Sequence, residues 1–295
     1  VAINSLRTVQ TTSIAITLNA DLTISSGALL SARAASNLVT IGGASNLAFG
    51  ANEAVVTVAT GSMTINAPIT GSNGFTKSGP GTLTLGANNS GLSGTFTVNQ
   101  GQVAITNIGA VGSGQVNMRS SGFNAATLLF SGLASTTFPN NISLQANNVG
   151  TQILNNNMLN SFITLSGLIT GGSGTGLTGG LFRVTAASDD SGGFILTNPS
   201  NSFMGTISVF EGQLAFTSNG ALGNANNGII LAPFSGGQIT PINGGLRFDA
   251  DNITMNRPIQ FNTEASINTQ AFTAESAGSN TGTGLFNKLG TGSSK

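Results

Sequence analysis

The sequence contains no cysteine, histidine, tryptophan or tyrosine. Without cysteine there can be no disulfide framework and no thiolate metal site. The lack of histidine also excludes Ser-His and Cys-His nucleophiles and the usual zinc sites. Sugar-binding grooves usually offer tryptophan or tyrosine as a stacking platform, and neither is available. Of the common catalytic chemistries, this composition leaves mainly that of carboxylates.

Charge is scarce as well. Charged residues make up 6% of the 295 residues, and nine basic residues balance nine acidic ones, whereas about 25% is usual for a globular protein. Nucleic-acid binding needs a concentrated basic face, so we expect no nucleic-acid partner. No apolar run approaches the roughly 20 residues of a membrane helix, so we expect no spanning segment here. The chain starts at Val1 rather than Met, and we expect a mature or partial product.

Apolar residues are nevertheless plentiful, at 39% of the chain. They alternate with polar residues over short stretches, as in Ile14–Leu18, 62–69 and 102–106. Alternation with a period of two is typical of half-buried strands. Glycine occupies 42 positions, and each interior glycine would weaken a helix by about 1 kcal/mol. The pattern predicts an all-β protein.

Internal repeats indicate which all-β architecture to expect. The sequence "GTFTVNQGQVAITNIGAVG" at 94–112 matches "GTISVFEGQLAFTSNGALG" at 205–223, with ten of 19 positions identical. A second match joins "TGSNGFTKSGPG" at 70–81 to "TGTGLFNKLGTG" at 281–292. A repeated unit of strand and glycine turn is typical of a solenoid, in which each coil buries its apolar face against the next. We predict a continuous parallel β-solenoid over 1–295, with about a dozen coils of roughly 20 to 25 residues.

The best copies of the repeat span 74–106 and 194–217, and a truncated copy spans 285–295. Lys77 and Lys288 recur at equivalent positions, which we interpret as places where a coil emerges to solvent. The residues that define the repeat are Gly74, Phe75, Lys77, Gly79, Gly81, Gly94 and Gly101 in the first copy, Gly205 and Gly212 in the second, and Phe286, Lys288, Gly290 and Gly292 in the third.

The first copy resembles the autotransporter-associated β-strand repeat, also called the passenger-associated transport repeat. It shares the Gly-apolar-Thr-Lys opening at 74–77, the Gly-x-Gly-Thr-Leu-x-Leu strand at 79–85, a turn asparagine at Asn88 and the strand ending in Val98. Thr95 to Thr97 depart slightly from the family's usual Gly-Thr-Thr-type stretch. The resemblance implies a right-handed parallel β-helix in a large bacterial protein that is secreted or exposed on the cell surface. It also implies that this chain is a segment of a longer solenoid.

Two acidic pairs are the candidates for chemistry. In "LRFDAD" at 246–251, strand alternation places Arg247, Asp249 and Asp251 on one face. Carboxylates two positions apart on a strand are roughly 7 Å apart, which suits an inverting glycosidase or, with carbonyl oxygens, calcium. The simpler interpretation is a solvent-facing surface on which Arg247 offsets the two acids. Asp189 and Asp190 form a second calcium candidate, for which a solvated turn is the simpler interpretation.

These observations favour a protein without catalytic residues, metal or cofactor. We expect a non-catalytic structural or adhesive solenoid, extracellular or on the bacterial cell surface. The ends of a solenoid expose unpaired strand edges, so we expect copies to stack end to end into a fibre, filament or stalk, with glycans as further candidate partners. The alternatives are a β-helical enzyme that degrades polysaccharides and a phage or host-attachment fibre module.

Overall fold

A computed structural model describes residues 1–9, 12–32, 38–120, 125–145, 151–177, 181–186, 192–231, 244–262, 265–284 and 286–293. No α-helix occurs among these residues, and hence none that is long and apolar enough to cross a membrane. The contacts divide the chain into two compact units, Val1–Leu133 and Ala134–Lys295. We call them unit 1 and unit 2.

Unit 1 consists of short parallel strands that recur on three sheets. Their sheet orders are β1-β4-β7-β10, β2-β5-β8-β11-β13-β15 and β3-β6-β9-β12-β14-β16. Over four coils the chain visits the three sheets in turn, and the next two coils have strands in the second and third sheets only; neighbouring strands in each sheet are parallel and belong to successive coils. The strands are β1 (Ala2–Ile3), β2 (Leu6–Thr8), β3 (Ile14–Thr17), β4 (Leu22–Ile24), β5 (Ala28–Ala32), β6 (Leu38–Gly42), β7 (Leu47–Ala48), β8 (Ala54–Thr60), β9 (Ser62–Ile65), β10 (Ile69–Thr70), β11 (Phe75–Ser78), β12 (Thr82–Leu85), β13 (Phe96–Val98), β14 (Gly101–Ile105), β15 (Val116–Met118) and β16 (Ala126–Phe130).

Unit 2 repeats this construction with longer and less regular coils. Two of its sheets have the orders β19-β22-β24-β26-β29-β32 and β17-β20-β23-β25-β27-β30-β33, while β18 pairs with β21 and β28 with β31. A short 3-10 helix occupies Asn219–Leu222. The strands are β17 (Thr136–Phe138), β18 (Ile142–Leu144), β19 (Gln152–Asn156), β20 (Phe162–Leu165), β21 (Ile169–Gly171), β22 (Leu181–Ala186), β23 (Gly193–Leu196), β24 (Thr206–Glu211), β25 (Gln213–Phe216), β26 (Ile229–Leu231), β27 (Gly245–Phe248), β28 (Ile253–Met255), β29 (Ile259–Phe261), β30 (Ala265–Asn268), β31 (Ala274–Ser276), β32 (Asn280–Gly282) and β33 (Phe286–Leu289).

The fold is therefore the predicted all-β parallel solenoid. Two sheets of unit 1 have six strands each, and the two long sheets of unit 2 have six and seven. The prediction of about a dozen coils is thus confirmed. In the most regular part, Met63 pairs with Leu83 and Leu83 with Val103, a step of 20 residues per coil (63 to 83 to 103).

The core forms because inward residues of successive coils stack in register. On β12, Leu83 and Leu85 are buried while Thr82 and Thr84 point outward. Phe75 lies on Phe96 with ring centroids 4.8 Å apart and ring planes 4° apart. That distance is the spacing of neighbouring strands, so the rings stack as the strands do. Each coil buries apolar surface only because the next coil covers it.

Glycine is required where the coils turn. Gly101 and Gly212, equivalent in the first two copies, both have φ 71°, which disfavours any residue with a Cβ. A Cβ on Gly101 would also lie 2.7 Å from the carbonyl oxygen of Gly79 on the preceding coil. The turn between β13 and β14 therefore needs glycine both for its conformation and for close stacking.

Candidate functional site

The candidate acid Asp249 is fully occupied by neighbouring side chains. Arg247 holds its carboxylate with two bonds, Nε to Oδ1 at 2.6 Å and Nη2 to Oδ2 at 2.7 Å. Gln270 Nε2 donates to the same Oδ1 at 2.7 Å. The Arg247 guanidinium also lies 3.9 Å from the centre of the Phe162 ring. With an arginine and an amide already bound, this carboxylate is poorly placed to activate water or to bind a cation.

Asp251 does not share a strand face with Asp249, so this part of the sequence prediction is wrong. Strand β27 ends at Phe248, and Asp251 lies in a turn followed by Asn252 with φ 56°. The Asp251 Oδ1 accepts the backbone N–H of Thr273 at 2.8 Å, from the next coil. The alternation fails because the chain bends at Ala250 to close the coil.

No group of three or more acidic metal-ligating residues occurs in the part of the chain that the structure describes. The other calcium candidates, Asp189 and Asp190, lie outside the described residues. Carboxylates that could hold calcium together are therefore not assembled at Asp249 and Asp251, where both acids bond to protein groups instead.

Lys77 lies inside the core, so the interpretation that it emerges to solvent is wrong. Its side chain has no exposed surface and stands between Val56 and Val98 in an inward row of side chains. Its Nζ donates to the carbonyl oxygens of Gly79 at 2.6 Å and of Gln100, on the next coil, at 2.9 Å. Burial lowers the pKa of Lys77 to about 8. Lys77 lies on the same inward face of β11 as Phe75, and the glycine turn supplies the acceptors that make its burial possible.

Lys288, like Lys77, donates to the carbonyl oxygen of the glycine two residues later, but it does so at the surface. It is exposed, and its Nζ donates to the carbonyl oxygen of Gly290 at 2.7 Å. In the strand pairing, Lys288 lies opposite Ile267, which is buried.

Ile267 also lines a cavity of about 470 Å³ in unit 2, together with Phe248, Phe261 and Ala274. Of the described residues that line this cavity, none is acidic or basic, and its surface combines apolar side chains with polar ones such as Thr269 and Asn280.

Arg257 is the buried cation that sequence reasoning missed. It is 1% exposed, and burial lowers its pKa to about 10. Its Nε donates to Asn219 Oδ1, Nη2 to the carbonyls of Asn219 and Gly223, each at 2.9 Å, and Nη1 to the carbonyl of Asn224. The guanidinium thus satisfies carbonyls in and just after the 3-10 helix. Its one signal in the sequence is that Arg257 is the single charged residue within 252–263.

A buried asparagine joins successive coils in each unit, Asn89 in unit 1 and Asn201 in unit 2. Asn89 Oδ1 accepts the N–H of Ile69 at 2.8 Å, and its Nδ2 donates to the carbonyl of Ala110 at 2.6 Å. Asn201 makes the same pair of bonds in unit 2, with the N–H of Ile169 and the carbonyl of Ala221, both at 2.8 Å. The neighbouring Asn88, the turn asparagine of the repeat motif, is exposed.

In the described residues, polar side chains are thus used mainly to hold one coil on another. Four charged residues bond to the backbone of another coil. Asp21 accepts the N–H of Asn46 at 2.8 Å, and Asp251 accepts that of Thr273. Lys77 and Arg257 donate to backbone carbonyls.

Comparisons with protein-family models, with curated proteins and with solved structures found no match.

Proposed function

We propose that this protein is a non-catalytic extracellular β-solenoid with a structural or adhesive role, whose copies stack end to end into a fibre, filament or cell-surface stalk. The observation that carries the proposal is the use of charge. Lys77, Arg257, Asp21 and Asp251 each bond to the backbone of another coil. These four of the 18 charged residues thus join coils, as a protein that bears load or presents a surface requires.

The pKa values agree with this role. An enzyme site places titratable groups with altered pKa values in a cleft that its substrate can reach. Among the described residues, the strongly lowered pKa values are those of Lys77 and Arg257, and both side chains are buried in the core. Such groups favour a stabilising role over proton transfer to a substrate.

The alternative is a β-helical enzyme that degrades polysaccharides through Asp249 and Asp251. Asp249 supports this alternative only if a substrate displaces Arg247 and Gln270 from its carboxylate. An attachment-fibre module of a phage or host cell shares the fold, and the proposed assembly would suit it equally well.

Electron microscopy of the purified chain, together with polysaccharide cleavage assays, tests the proposal. We expect filaments with a regular axial repeat at high protein concentration, and no cleavage above background. The matched variants are Asp249→Asn and Asp251→Asn. Cleavage by the wild-type protein that either variant abolishes would overturn the structural role in favour of the enzyme.

A further inference from the structure

Unit 2 contains two arginines that stack on phenylalanine rings, and the two differ in their remaining partners. The Arg247 guanidinium lies 3.9 Å from the centre of the Phe162 ring, and its two hydrogen bonds to a carboxylate go to Asp249. The Arg183 guanidinium lies 4.0 Å from the centre of the Phe210 ring. Its Nε is buried without a hydrogen-bond partner, and no carboxylate among the described residues pairs with it. The first stacked pair is thus completed by an acid, whereas the second is not.

Arg183 is a cation on the outer face of the coil that is nevertheless partly buried. Phe182 and Val184 point into the core, so Arg183 between them points outward from β22. Burial lowers the pKa of Arg183, because water is partly removed from the guanidinium. A desolvated cation without an opposite charge is costly. An anion that pairs with Arg183 would remove this cost and would therefore bind favourably.

An irregularity in the strand pairing sets Phe210 against Arg183. The register of β22 on β24 shifts by one residue after Val184, and Phe210 is the extra residue in β24. Such bulges bend a strand and re-aim its side chains. Here the ring lies against the guanidinium and restricts its rotation. A guanidinium that is already fixed loses less conformational entropy when it binds a ligand.

The surface around Arg183 favours a ligand that lies flat on the sheet. Strand β22 pairs with β19 on one side and β24 on the other, so it has no open edge to which an extended peptide could add. The outward residues in register with Arg183 are Ile153, Ser208 and Ile230. The two isoleucines are partly exposed. A sugar acid combines a carboxylate, apolar C–H groups and hydroxyls in one ring, which matches a cation flanked by apolar side chains.

We propose that Arg183, held against Phe210, binds the carboxylate of an acidic polysaccharide through its two Nη groups. The planar guanidinium suits the two oxygens of a carboxylate, and Asp249 already accepts two hydrogen bonds from Arg247 in this way. Because the Nε of Arg183 is buried, the ligand approaches the end of the guanidinium. The inference rests on the proposed adhesive role and names the class of glycan that the surface would hold.

Isothermal titration calorimetry of the whole chain with oligogalacturonate at low salt tests the site. The matched ligand is the methyl ester of the same oligomer, which keeps the sugar rings and loses the negative charge. We expect the oligogalacturonate to bind and the ester to give no measurable binding.

Variants assign the binding to Arg183. Arg183→Gln should weaken it about 10- to 100-fold, because two charge-assisted hydrogen bonds are lost. Arg183→Lys keeps the charge and should recover part of the affinity, and Phe210→Leu should weaken binding less than Arg183→Gln. Arg7→Gln is the control for non-specific attraction, since Arg7 is exposed in unit 1, and it should leave binding unchanged. Circular dichroism checks that each variant is folded.

Three results would overturn the site. The first is equal binding of the ester, or an equal loss in Arg7→Gln and Arg183→Gln. The second is tighter binding of polyglutamate than of oligogalacturonate, which would identify a peptide ligand. The third is binding that appears only when Asp189 and Asp190, which lie outside the described residues, are both changed to asparagine. The chain's own acids would then be the partners of Arg183.

The fate of the proposed function is read separately. Absence of any binding would overturn the glycan site but leave the structural role and the filaments standing. Cleavage of the oligogalacturonate by the wild-type protein would overturn the non-catalytic function itself.

Discussion

Among the residues that the structure describes, unit 1 and unit 2 each bury one cation, Lys77 and Arg257, and the two units satisfy it with different partners. Lys77 places a single ammonium group between two carbonyl oxygens, those of Gly79 and Gln100. Arg257 spreads a planar guanidinium over Asn219, Gly223 and Asn224. Neither is paired with a carboxylate in the part of the chain that the structure describes. Lysine suits a narrow site with two acceptors, whereas the five donors of arginine suit a cluster of carbonyls.

The comparison shows how a β-solenoid with few acids can hold a charge in its core. Burying a cation is costly unless its donors are satisfied. Carbonyls at coil corners have no partner in the strand ladder, and leaving them buried and unpaired is also costly. The cation and the corner carbonyls therefore stabilise each other, and the substitutions below test how strongly.

The largest effect should come from Arg257→Leu. This change removes four hydrogen bonds and takes the donor away from the buried carbonyl of Gly223 and the half-buried carbonyls of Asn219 and Asn224, which we expect to cost about 3 to 5 kcal/mol. Urea denaturation followed by circular dichroism measures the loss. Arg257→Lys should recover part of it by keeping the charge with fewer donors. A loss below about 1 kcal/mol would mean that these bonds are not stabilising.

Asn89→Leu and Asn201→Leu should come next, at about 2 to 3 kcal/mol each. Each substitution leaves one N–H and one carbonyl unpaired, because the asparagine bridges the coils before and after it. Equal losses would show that both units use the asparagine alike. Asn88→Leu is the control, since Asn88 is exposed and should change stability by less than about 0.5 kcal/mol. A similar loss for all three variants would contradict the bridging role.

Lys77→Met should have a smaller effect whose size depends on pH. Burial lowers the pKa of Lys77 in the folded state to about 8, from 10.5 when exposed. Between these values the unfolded chain binds more protons than the folded one, so the wild-type protein gains stability as pH rises. The methionine side chain of the variant cannot titrate, and wild type should therefore gain roughly 1 to 3 kcal/mol relative to Lys77→Met from pH 8 to 10.5. Parallel stability curves for the two proteins would show that Lys77 is not desolvated.

Asp249→Asn should have the smallest effect. Asp249 and Arg247 are partly exposed, and ion pairs near the surface contribute about 0 to 1 kcal/mol. The loss should shrink further in high salt because the pair is screened. Arg247→Met provides the comparison, since it also removes the contact with the Phe162 ring. Thermal denaturation at low and high salt measures both, and a loss above about 2 kcal/mol for Asp249→Asn would contradict this assignment.

The sequence predicted the face of most strand residues but not the environment of the polar ones. Alternation correctly placed Leu246 and Phe248 inward, yet it carried the strand on to Asp251, where a turn closes the coil. Lys77, interpreted as a place where a coil emerges to solvent, lies instead on the inward face of β11 with Phe75, where the carbonyls of Gly79 and Gln100 accept its hydrogen bonds. Arg257 gave almost no signal, because its partners in 219–224 lie on another coil and come near it only when the coils stack.

The sequence by itself determined the class of fold. Period-two alternation, glycine turns and internal repeats leave a parallel solenoid as the arrangement that buries the apolar residues, since this pattern is local and repeats along the chain. The tertiary structure decided which polar residues are buried. Whether Lys77, Asn89 or Arg257 lies in the core depends on carbonyls and N–H groups about 20 to 38 positions away. Only the register of one coil on the next brings those groups within hydrogen-bond distance.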